Sequence, residues 1–533
     1  MKGNVVINIL KILKFDKFRF RQSIIMQKYL GLLLFISTTA FAQYKPAAFT
    51  DPDRLKKIEA AIPAIDKLFK EYAEKNHFPG TVYGIMVDGK LVHTGGFGYT
   101  NVADKAIADS KSDFRIASMS KSITAMAILK LRDEGKLKLD DPAYLYIHEM
   151  KGNKYLTKDA RPITIRNLMT HSAGFPEDNP WGDRQLADTD EELIAIYKKG
   201  VQFSNNPGAG YEYSNLGFAT LGYIIKKVSG KSYQSYINEH IFKPLGMTHT
   251  YWEYTSVPKD KLAHGYRWMD NQWVEQPLLH DGSYGAMGGL ITTIEDFSKY
   301  MAVHQNAWPA RNDAEAGPVK RSSVREMQYP WDVSDFSPNA KTTSGRLCPT
   351  VSAYGYGLGW AKNCDNIVSV GHSGGLPGFG SQWRILSDYG VGVVSFSNLT
   401  YANMGRINNM VLNALLETTG IQPRALPASE ILNQRKTELL KVIADWSTAK
   451  ASGIFADNFF DDYFPNRLKT AAAEAFAKAG KTISIGEIVA ENQLRGYFII
   501  KGEKGNIRVS FTLTPENPPL IQEYHLDFSP PAS

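Results

Sequence analysis

A lysine near the start of an apolar helix is the feature that most restricts how this chain can fold. The segment FRIASMSKSITA (114–125) places Ser118 and Lys121 three positions apart, and residues at this spacing share one face of a helix. Residues 123–131 are apolar on nearly every side of that helix, which predicts that it is buried. The fold must therefore enclose a lysine side chain.

Burial gives this serine and lysine a chemical use. A desolvated lysine loses proton affinity and can act as a base near neutral pH. A serine hydroxyl needs such a base because it is a poor nucleophile alone. The helix start also leaves a free backbone N–H at Ser118, suited to stabilising an oxyanion. We therefore predict that a helix beginning at Ser118 carries a nucleophilic serine activated by Lys121.

The same Ser-x-x-Lys spacing occurs twice more, at 256–259 and 447–450. Pro258 disrupts the first copy, and the second lies in a polar stretch. A helix cap followed by a surface lysine is the better interpretation of both, since only the copy at Ser118 opens an apolar helix.

The order of helical and strand patterns predicts an α+β fold. An amphipathic helix is expected over 54–75, then a hairpin around Asp88-Gly89, then mainly helical patterns. Strand patterns return over 352–398, before a helix at 404–419. Strands near both ends predict an antiparallel sheet flanked by helices, with an inserted helical lobe.

A change of pattern late in the chain predicts a second domain. IQPRALPA (421–428) has two prolines and no periodicity, so it is the expected linker. Residues 43–420 then form the main domain, and residues 429–533 form a small α+β accessory domain with helices near 429–448 and 466–479. The accessory pattern resembles the cone-shaped domains of the nuclear-transport-factor-like kind, and a structural cap or dimer module is the favoured role.

Residues 1–42 are predicted to be a leader ending in a secretory signal peptide. The apolar run LGLLLFISTTAFA (30–42) ends in the small-residue pattern of a cleavage site at Ala42. It is shorter than the roughly 20 residues that span a bilayer, so no stable membrane anchor is expected after cleavage. Met26 begins a compact signal peptide by itself, which leaves Met1 and Met26 as alternative starts. A secreted or periplasmic protein is expected.

Net charge gives no support to a nucleic-acid or anionic-membrane partner. The whole chain carries +7, but the leader contains seven lysines and arginines against one aspartate. The remaining chain is therefore close to neutral.

The cysteines and histidines bear on redox and metal chemistry. In an exported chain, Cys348 and Cys364 favour a local disulfide over a thiol nucleophile. The 11 histidines include no His-Glu-x-x-His or comparable ligand cluster. A metallohydrolase is therefore the weaker hypothesis, and no metal or other cofactor is expected.

The segment 114–142 resembles the first active-site element of the serine β-lactamase and penicillin-binding-protein superfamily, in its class C-like branch. That family has a second element, Tyr-x-Asn, and a third, Lys-Thr-Gly or His-x-Gly, in this chain order. Tyr-x-Asn occurs four times. The copy at Tyr213 and Asn215 follows the first element and lies on a turn before a helix, as in the family.

The third element is assigned to His372-Ser373-Gly374. This copy of His-x-Gly follows Tyr213 and belongs to a strand pattern with another strand after it. The family surroundings also match, in LMTHSAGFP (168–176), IFKPLGMTHT (241–250) and GAMGGLITTIEDF (285–297). The resemblance covers about residues 50–420 and implies a β-lactamase/D,D-peptidase-like fold.

The resemblance implies a role for each side chain. Ser118 would be the nucleophile, and Lys121 would be the base for acylation or part of a shared relay. Tyr213 would pass a proton to the leaving group and later activate water, while Asn215 would orient the lysine and bind a substrate carbonyl. Coupled groups titrate as a unit, so the choice of Lys121 or Tyr213 as base stays open.

The third element marks the main departure from the β-lactamase pattern. The backbone N–H groups of Ser118 and Gly375 would form the oxyanion hole, and His372, Ser373 and Gly374 would line the cleft. Class C β-lactamases carry a lysine where this chain has His372, and a histidine supplies positive charge only below about its usual pKa of 6.5. This difference disfavours efficient β-lactam hydrolysis. The His-x-Gly form is found in the family's esterases, D-aminopeptidases and some D,D-carboxypeptidases, so the resemblance implies an ester or a peptide with D-residues as the substrate.

Two other functions stay open. One is a β-lactamase or D,D-carboxypeptidase acting on β-lactams or cell-wall peptides. The other is a non-catalytic binding protein on the same fold, which is disfavoured because every catalytic position has a competent residue. The expected partner is thus a small-molecule ester, peptide or β-lactam-like substrate, and the sequence leaves the oligomeric state open.

Overall fold

The computed structural model describes residues 44–179, 181–342 and 344–531. They form two compact units, a large one of residues 46–425 and a small one of residues 426–531 together with residues 44–45. The division falls inside the predicted linker, and the predicted leader lies outside the described residues. None of the helices in the described ranges is long and apolar enough to cross a membrane.

A nine-stranded antiparallel sheet forms the centre of the large unit. Its order is β3-β2-β1-β14-β13-β12-β11-β10-β9, so its strands come from both ends of the unit and the predicted antiparallel sheet is confirmed. The strands of the large unit are β1 (Gly80–Val87), β2 (Lys90–Asn101), β3 (Ala106–Ile107), β4 (Phe114–Arg115), β5 (Thr250–Tyr251), β6 (Gly265–Met269), β7 (Gln272–Gln276), β8 (Ile291–Thr292), β9 (Asp332–Ser337), β10 (Thr350–Tyr354), β11 (Gly359–Asn363), β12 (Val368–Leu376), β13 (Phe379–Leu386) and β14 (Val391–Ser397).

Helices cover both faces of this sheet. The helices of the large unit are α1 (Arg54–Lys75), α2 (Ser120–Asp133), α3 (Ile165–Met169), α4 (Asp190–Lys199), α5 (Asn215–Ser229), α6 (Tyr233–Ile237), α7 (Lys243–Leu245), α8 (Gly285–Gly288), α9 (Ile294–Asn306), α10 (Arg321–Met327) and α11 (Met404–Thr419). Most of them lie between β3 and β9 in the chain, as expected for an inserted helical lobe.

Alternate residues of β1 pack into two different cores, one on each face of the sheet. Val82 and Met86 belong to a core shared with α2 and α9, whereas Ile85 and Val87 belong to a core shared with α1 and α11. Successive side chains of a strand point to opposite faces, so a strand this apolar must be covered on both sides. Residues 80–87 are all buried.

Two local predictions differ from the structure. The helix predicted to begin at Ser118 begins at Ser120, after a 3₁₀ turn over Ala117–Met119. The strand-like segment 352–361 is a hairpin, in which Gly355 N–H donates to the Leu358 carbonyl at 2.7 Å. Gly357 has a φ of +65°, a conformation that favours glycine, so the turn is encoded by a residue that strand periodicity does not detect.

The small unit packs three helices against a five-stranded sheet of its own. Its elements are α12 (Glu430–Leu439), α13 (Phe459–Asp462), α14 (Pro465–Ala479), β15 (Thr482–Ile485), β16 (Val489–Ala490), β17 (Arg495–Gly502), β18 (Asn506–Leu513) and β19 (Ile521–Ser529). The helix predicted over 429–448 ends at Leu439 and is followed by turns. The sequence patterns did not predict β19. The resemblance to nuclear-transport-factor-like domains stays a prediction.

The five residues after Gly420 should stabilise the large unit. Ala425 and Ala48 exchange two backbone hydrogen bonds of 2.9 and 3.0 Å, and Arg424 N–H donates to the Asp388 carbonyl at 2.8 Å. Ile421 is buried. A fragment of residues 46–420 should therefore be less stable than one of residues 46–425 by about 2 kcal/mol or more. Urea unfolding followed by circular dichroism measures this, and equal midpoints would contradict it.

Candidate active site

Ser118 lies in a tight turn directly before the buried helix. The 3₁₀ turn Ala117–Met119 leads into α2, and Ala117 has a φ of +48°, a strained conformation for a residue with a side chain. Ser118 is 8% exposed. The turn therefore places the Ser118 hydroxyl, which is slightly exposed, at the start of a helix that is otherwise largely buried.

The amine of Lys121 is enclosed and contacts three oxygen atoms. Its side chain is 0% exposed. Nζ lies 2.9 Å from Ser118 Oγ, 2.7 Å from Asn215 Oδ1 and 3.0 Å from the Met287 carbonyl oxygen. The predicted contact between Ser118 and Lys121 is thus made in the structure, and two further chain segments complete it.

These contacts orient the amine toward the serine. The Asn215 and Met287 oxygens are carbonyls and can only accept hydrogen bonds, so they take two N–H groups of Lys121. In the neutral amine, the remaining position is the nitrogen lone pair, and it faces the Ser118 hydroxyl. Burial lowers the pKa of Lys121 to about 7, so the neutral form is populated at physiological pH.

An acidic loop holds Asn215 in place. Asp178 accepts hydrogen bonds from the backbone N–H groups of Asn215 and Leu216, at 2.6 and 2.8 Å. Asn215 Nδ2 donates to Asn179 Oδ1 at 2.5 Å, which leaves Asn215 Oδ1 directed at Lys121. A carboxylate at the first backbone N–H groups of α5 also matches the positive end of the helix dipole.

Tyr213 lies beside the lysine, and its environment favours the protonated phenol. Lys121 Nζ is 4.8 Å from the centre of the Tyr213 ring. Burial raises the pKa of Tyr213 well above its usual range, and an interaction with Ser118 offsets this only in part. The ring of His171 packs against that of Tyr213 with centroids 4.2 Å apart. Tyr213 is therefore placed to donate a proton rather than to take one at neutral pH.

His372 is buried and neutral. Its Nδ1 lies 2.5 Å from the carbonyl oxygen of Ser373, which can only accept, so this nitrogen carries the proton. Its Nε2 then accepts from the Tyr354 hydroxyl at 2.7 Å. Burial, together with the charge of Lys121, lowers the pKa of His372 to about 3. The expectation that His372 becomes charged near its usual pKa is therefore wrong.

The third element packs directly against the nucleophile turn. A Cβ atom on Gly374 would lie 2.2 Å from the Ile116 carbonyl oxygen and 3.0 Å from the Ala117 Cβ, so only glycine fits. Gly375 follows it, and both line a cleft of about 780 Å³ together with Ser118, Tyr213, His372 and Ser373. The structure thus brings the predicted catalytic and oxyanion residues to one cleft. Lys121 and Asn215 do not line this cleft, because both side chains are fully buried beside it.

Comparison with known proteins identifies the family. The model of the Beta-lactamase family matches residues 65–416, about two thirds of the chain. The chain belongs to the beta-lactamase family. The resemblance inferred from the three motifs is therefore confirmed, together with the fold that it implied.

Relatives from bacteria and an archaeon fit this family. Protein flp of Staphylococcus aureus strain N315 is 28% identical over 380 residues, covering 70% of each chain. The putative penicillin-binding protein PbpX of Bacillus subtilis strain 168 is 29% identical over 370 residues, covering 68% of this chain and 81% of the relative. The octameric penicillin-binding protein homologue from Pyrococcus abyssi has a TM-score of 0.56 and 25% identity, covering 88% of this chain and 98% of its own.

The other predicted features lie away from the cleft. Ser256 is in an exposed 3₁₀ turn, and the Ser447 hydroxyl donates to its neighbour Asp445 in the small unit. Cys348 and Cys364 form a disulfide with Cα atoms 5.0 Å apart. In the described ranges, the group that could offer three metal ligands is this cystine pair with Asp365, and its sulfurs are already bonded to each other.

Sequence reasoning missed the residues that support the beta-lactamase site. Asp178 and Asn179 lie in a loop that has no periodic hydrophobic pattern. They contact Asn215, which follows them in the chain by 37 and 36 residues. His171 is in a segment that matches the family, but its backbone φ of +58° and its acceptance of the Ser214 N–H at 3.0 Å need the structure. A signal for Asp178 was available, since a helix start at Asn215 leaves backbone N–H groups that need an acceptor.

Replacing Gly374 by Ala should damage both stability and reactivity. The new Cβ would overlap the Ile116 carbonyl, so β12 and the nucleophile turn must separate, at a cost of about 1–3 kcal/mol. The control is Gly210→Ala, because a Cβ there meets nothing within 4 Å, and its stability should change by less than about 1 kcal/mol. Chemical denaturation and labelling of Ser118 by a fluorophosphonate measure the two effects. Similar results for the two variants would refute the close packing.

Proposed function

We propose that this protein is an exported serine hydrolase that cleaves an ester or amide bond through an acyl-enzyme on Ser118. The observation that carries the proposal is the contact set of the buried Lys121 amine. Two carbonyl oxygens accept its N–H groups, and the remaining direction faces a serine hydroxyl at 2.9 Å. A structural lysine has no need of such an arrangement, whereas a general base does.

In this proposal Lys121 takes the proton of Ser118. Its pKa, lowered to about 7 by burial, lies near the working pH, which suits a general base. Ser118 Oγ then attacks the substrate carbonyl carbon, and its O–H proton moves to Lys121 Nζ. The negative charge passes to the carbonyl oxygen, where the backbone N–H groups of Ser118 and Gly375 would stabilise it.

Tyr213 is proposed to complete both halves of the reaction. Its protonated phenol would give a proton to the leaving group as the bond to the carbonyl carbon breaks, and would recover it from Lys121. In the second half, water attacks the acyl carbon and loses a proton through the same groups, which frees Ser118. Asn215 keeps the amine oriented, but we do not assign it the binding of a substrate carbonyl, because its Nδ2 donates to Asn179 Oδ1 and its side chain is 0% exposed.

An ester or a peptide with D-residues is favoured over a β-lactam as substrate. Efficient hydrolysis of a carboxylate-bearing β-lactam calls for a positive charge next to the reacting centre, and His372 is neutral with both nitrogens occupied. A β-lactamase or D,D-carboxypeptidase activity is the second candidate, because the relative PbpX is named a putative penicillin-binding protein.

Two features support export to an oxidising compartment. The leader pattern predicts a signal peptide, and the disulfide between Cys348 and Cys364 is of a kind that persists outside the cytosol. We propose a secreted or periplasmic protein that is cleaved near Ala42.

Ser118 should be the nucleophile. Replacing it by Ala should lower turnover by roughly 10³-fold or more, because the alanine side chain cannot form the proposed acyl-enzyme. A fluorophosphonate should label the parent protein on Ser118, as shown by peptide mass analysis. Ser447→Ala is the matched control, since it has the same spacing to a lysine, and it should keep full labelling. A folded protein that is never labelled on Ser118 would favour a binding protein.

The rate of ester hydrolysis should fall in acid because of Lys121 and not His372. A base acts in its neutral form, which predominates above its pKa, so kcat/KM for a neutral ester should be full above about pH 7 and fall about tenfold per unit below it. His372→Gln should keep this acid limb, since the pKa of His372 is about 3. The measurement is a pair of pH profiles, and loss of the limb in His372→Gln would assign the base role differently.

A further inference from the structure

A second groove leaves the cleft beside Tyr213. It has a volume of about 330 Å³ and shares five residues with the cleft, among them Tyr213, His372 and Gln382. From there it follows strands β10 to β13 as far as Arg384. The catalytic roles proposed above do not use it.

The floor of this groove is made mainly of glycine, serine and alanine residues in register. Gly359, Gly371 and Arg384 are direct neighbours across β11, β12 and β13. The adjoining rows, two residues away along the strands and so on the same face, are Ser373 with Gln382 and Ser352 with Ala361 and Ser369. A Cβ on Gly359 would meet nothing closer than 3.5 Å, so packing does not demand glycine there and the space beside it is open.

Arg384 is the one charged residue among those that line the groove. Its Nη1 donates to Asn409 Oδ1 at 2.7 Å and lies 3.5 Å from Ser369 Oγ. Burial lowers the pKa of Arg384 to about 10. It therefore stays protonated at neutral pH, as a partly buried cation whose hydrogen-bond partners in the described ranges are the neutral side chains of Asn409 and Ser369. Such a charge is costly unless an anion pairs with it.

We infer that this groove binds the leaving-group side of an extended substrate and that Arg384 pairs with a carboxylate at its end. The inference rests on the hydrolase function proposed above and adds its substrate class. The groove begins at Tyr213, the proposed proton donor to the leaving group, whereas Gly375, the proposed oxyanion donor, does not line it.

Geometry sets the length of the leaving group. Arg384 is two residues along β13 from Gln382 at the cleft, or roughly 7 Å. About two residues of extended chain cover that distance. A carboxylate directly beside the scissile bond would instead meet the neutral His372, while the acidic residues Glu177 and Asp183 line the cleft but not the groove.

The test uses esters that differ in leaving-group length and charge. The acyl part is N-acetyl-D-alanyl, and the leaving group is glycolate followed by no, one or two glycines, each as the free acid and as the C-terminal amide. The full-length parent chain should prefer the acid over the amide most strongly at one of the longer leaving groups. Arg384→Gln should reduce that ratio of kcat/KM values by roughly tenfold to a hundredfold, the range for a lost charged hydrogen bond.

Two further variants separate recognition from folding. Arg384→Lys keeps the charge and should retain a preference for the acid. Gly359→Val fills the groove and should lower kcat/KM for the long esters more than for the glycolate ester. Lys67→Gln, which removes an exposed cation on α1, is the matched control and should leave the acid-to-amide ratio unchanged.

A binding measurement makes the test independent of turnover. The Ser118→Ala chain should bind the long acid more tightly than its amide in calorimetry, and Arg384→Gln in that background should abolish the difference. Equal affinities, or a kinetic ratio that Arg384→Gln does not change, would overturn the inference while leaving the hydrolase intact. Failure of every ester to acylate Ser118 would instead count against the proposed function, and the calorimetric comparison would still decide the role of Arg384.

Discussion

The buried amine of Lys121 is the interaction on which the rest of the active site depends. Its partners come from three separate parts of the chain: the turn at Ser118, the start of α5 at Asn215, and the Met287 carbonyl in α8. An amine without these partners would cost several kcal/mol in such a core. A fold that keeps this lysine must therefore hold α2, α5 and α8 at fixed distances, so stability and chemistry rest on the same contacts.

Backbone contacts extend this constraint to the rest of the cleft. Gly374 lets β12 touch the chain just before Ser118, and a Cβ on Gly357 would lie 2.7 Å from the Lys121 carbonyl oxygen. Where backbone packs on backbone, no side chain can rearrange to absorb a shift. The distance between the Ser118 turn and Gly375 is consequently set by main-chain geometry, which suits an oxyanion site formed by two backbone N–H groups.

Much of this arrangement could be predicted because its signals are local. The helix over 54–75 and the buried helix after Ser118 follow from periodicity, and the contact of Ser118 with Lys121 follows from helical spacing. The supports could not be predicted in the same way: Asp178 reaches the start of α5 across 37 positions, and Tyr354 meets His372 through the hairpin at Gly355–Leu358. Such contacts depend on how distant segments pack, and no local pattern records them.

The charge state of His372 and that of Lys121 depend on each other. The positive charge of Lys121 lowers the pKa of His372, and by reciprocity a charge at His372 would lower the pKa of Lys121. With a neutral histidine, the charged groups that act most on Lys121 are the carboxylates of Asp183 and Asp178, which raise its pKa against the larger effect of burial. A permanent cation at position 372 would remove this balance and leave a weaker base. The neutral third element thus adds no second cation that would lower the pKa of Lys121 further. Under the proposed function, recognition of a substrate carboxylate falls to Arg384, which lies farther along the sheet.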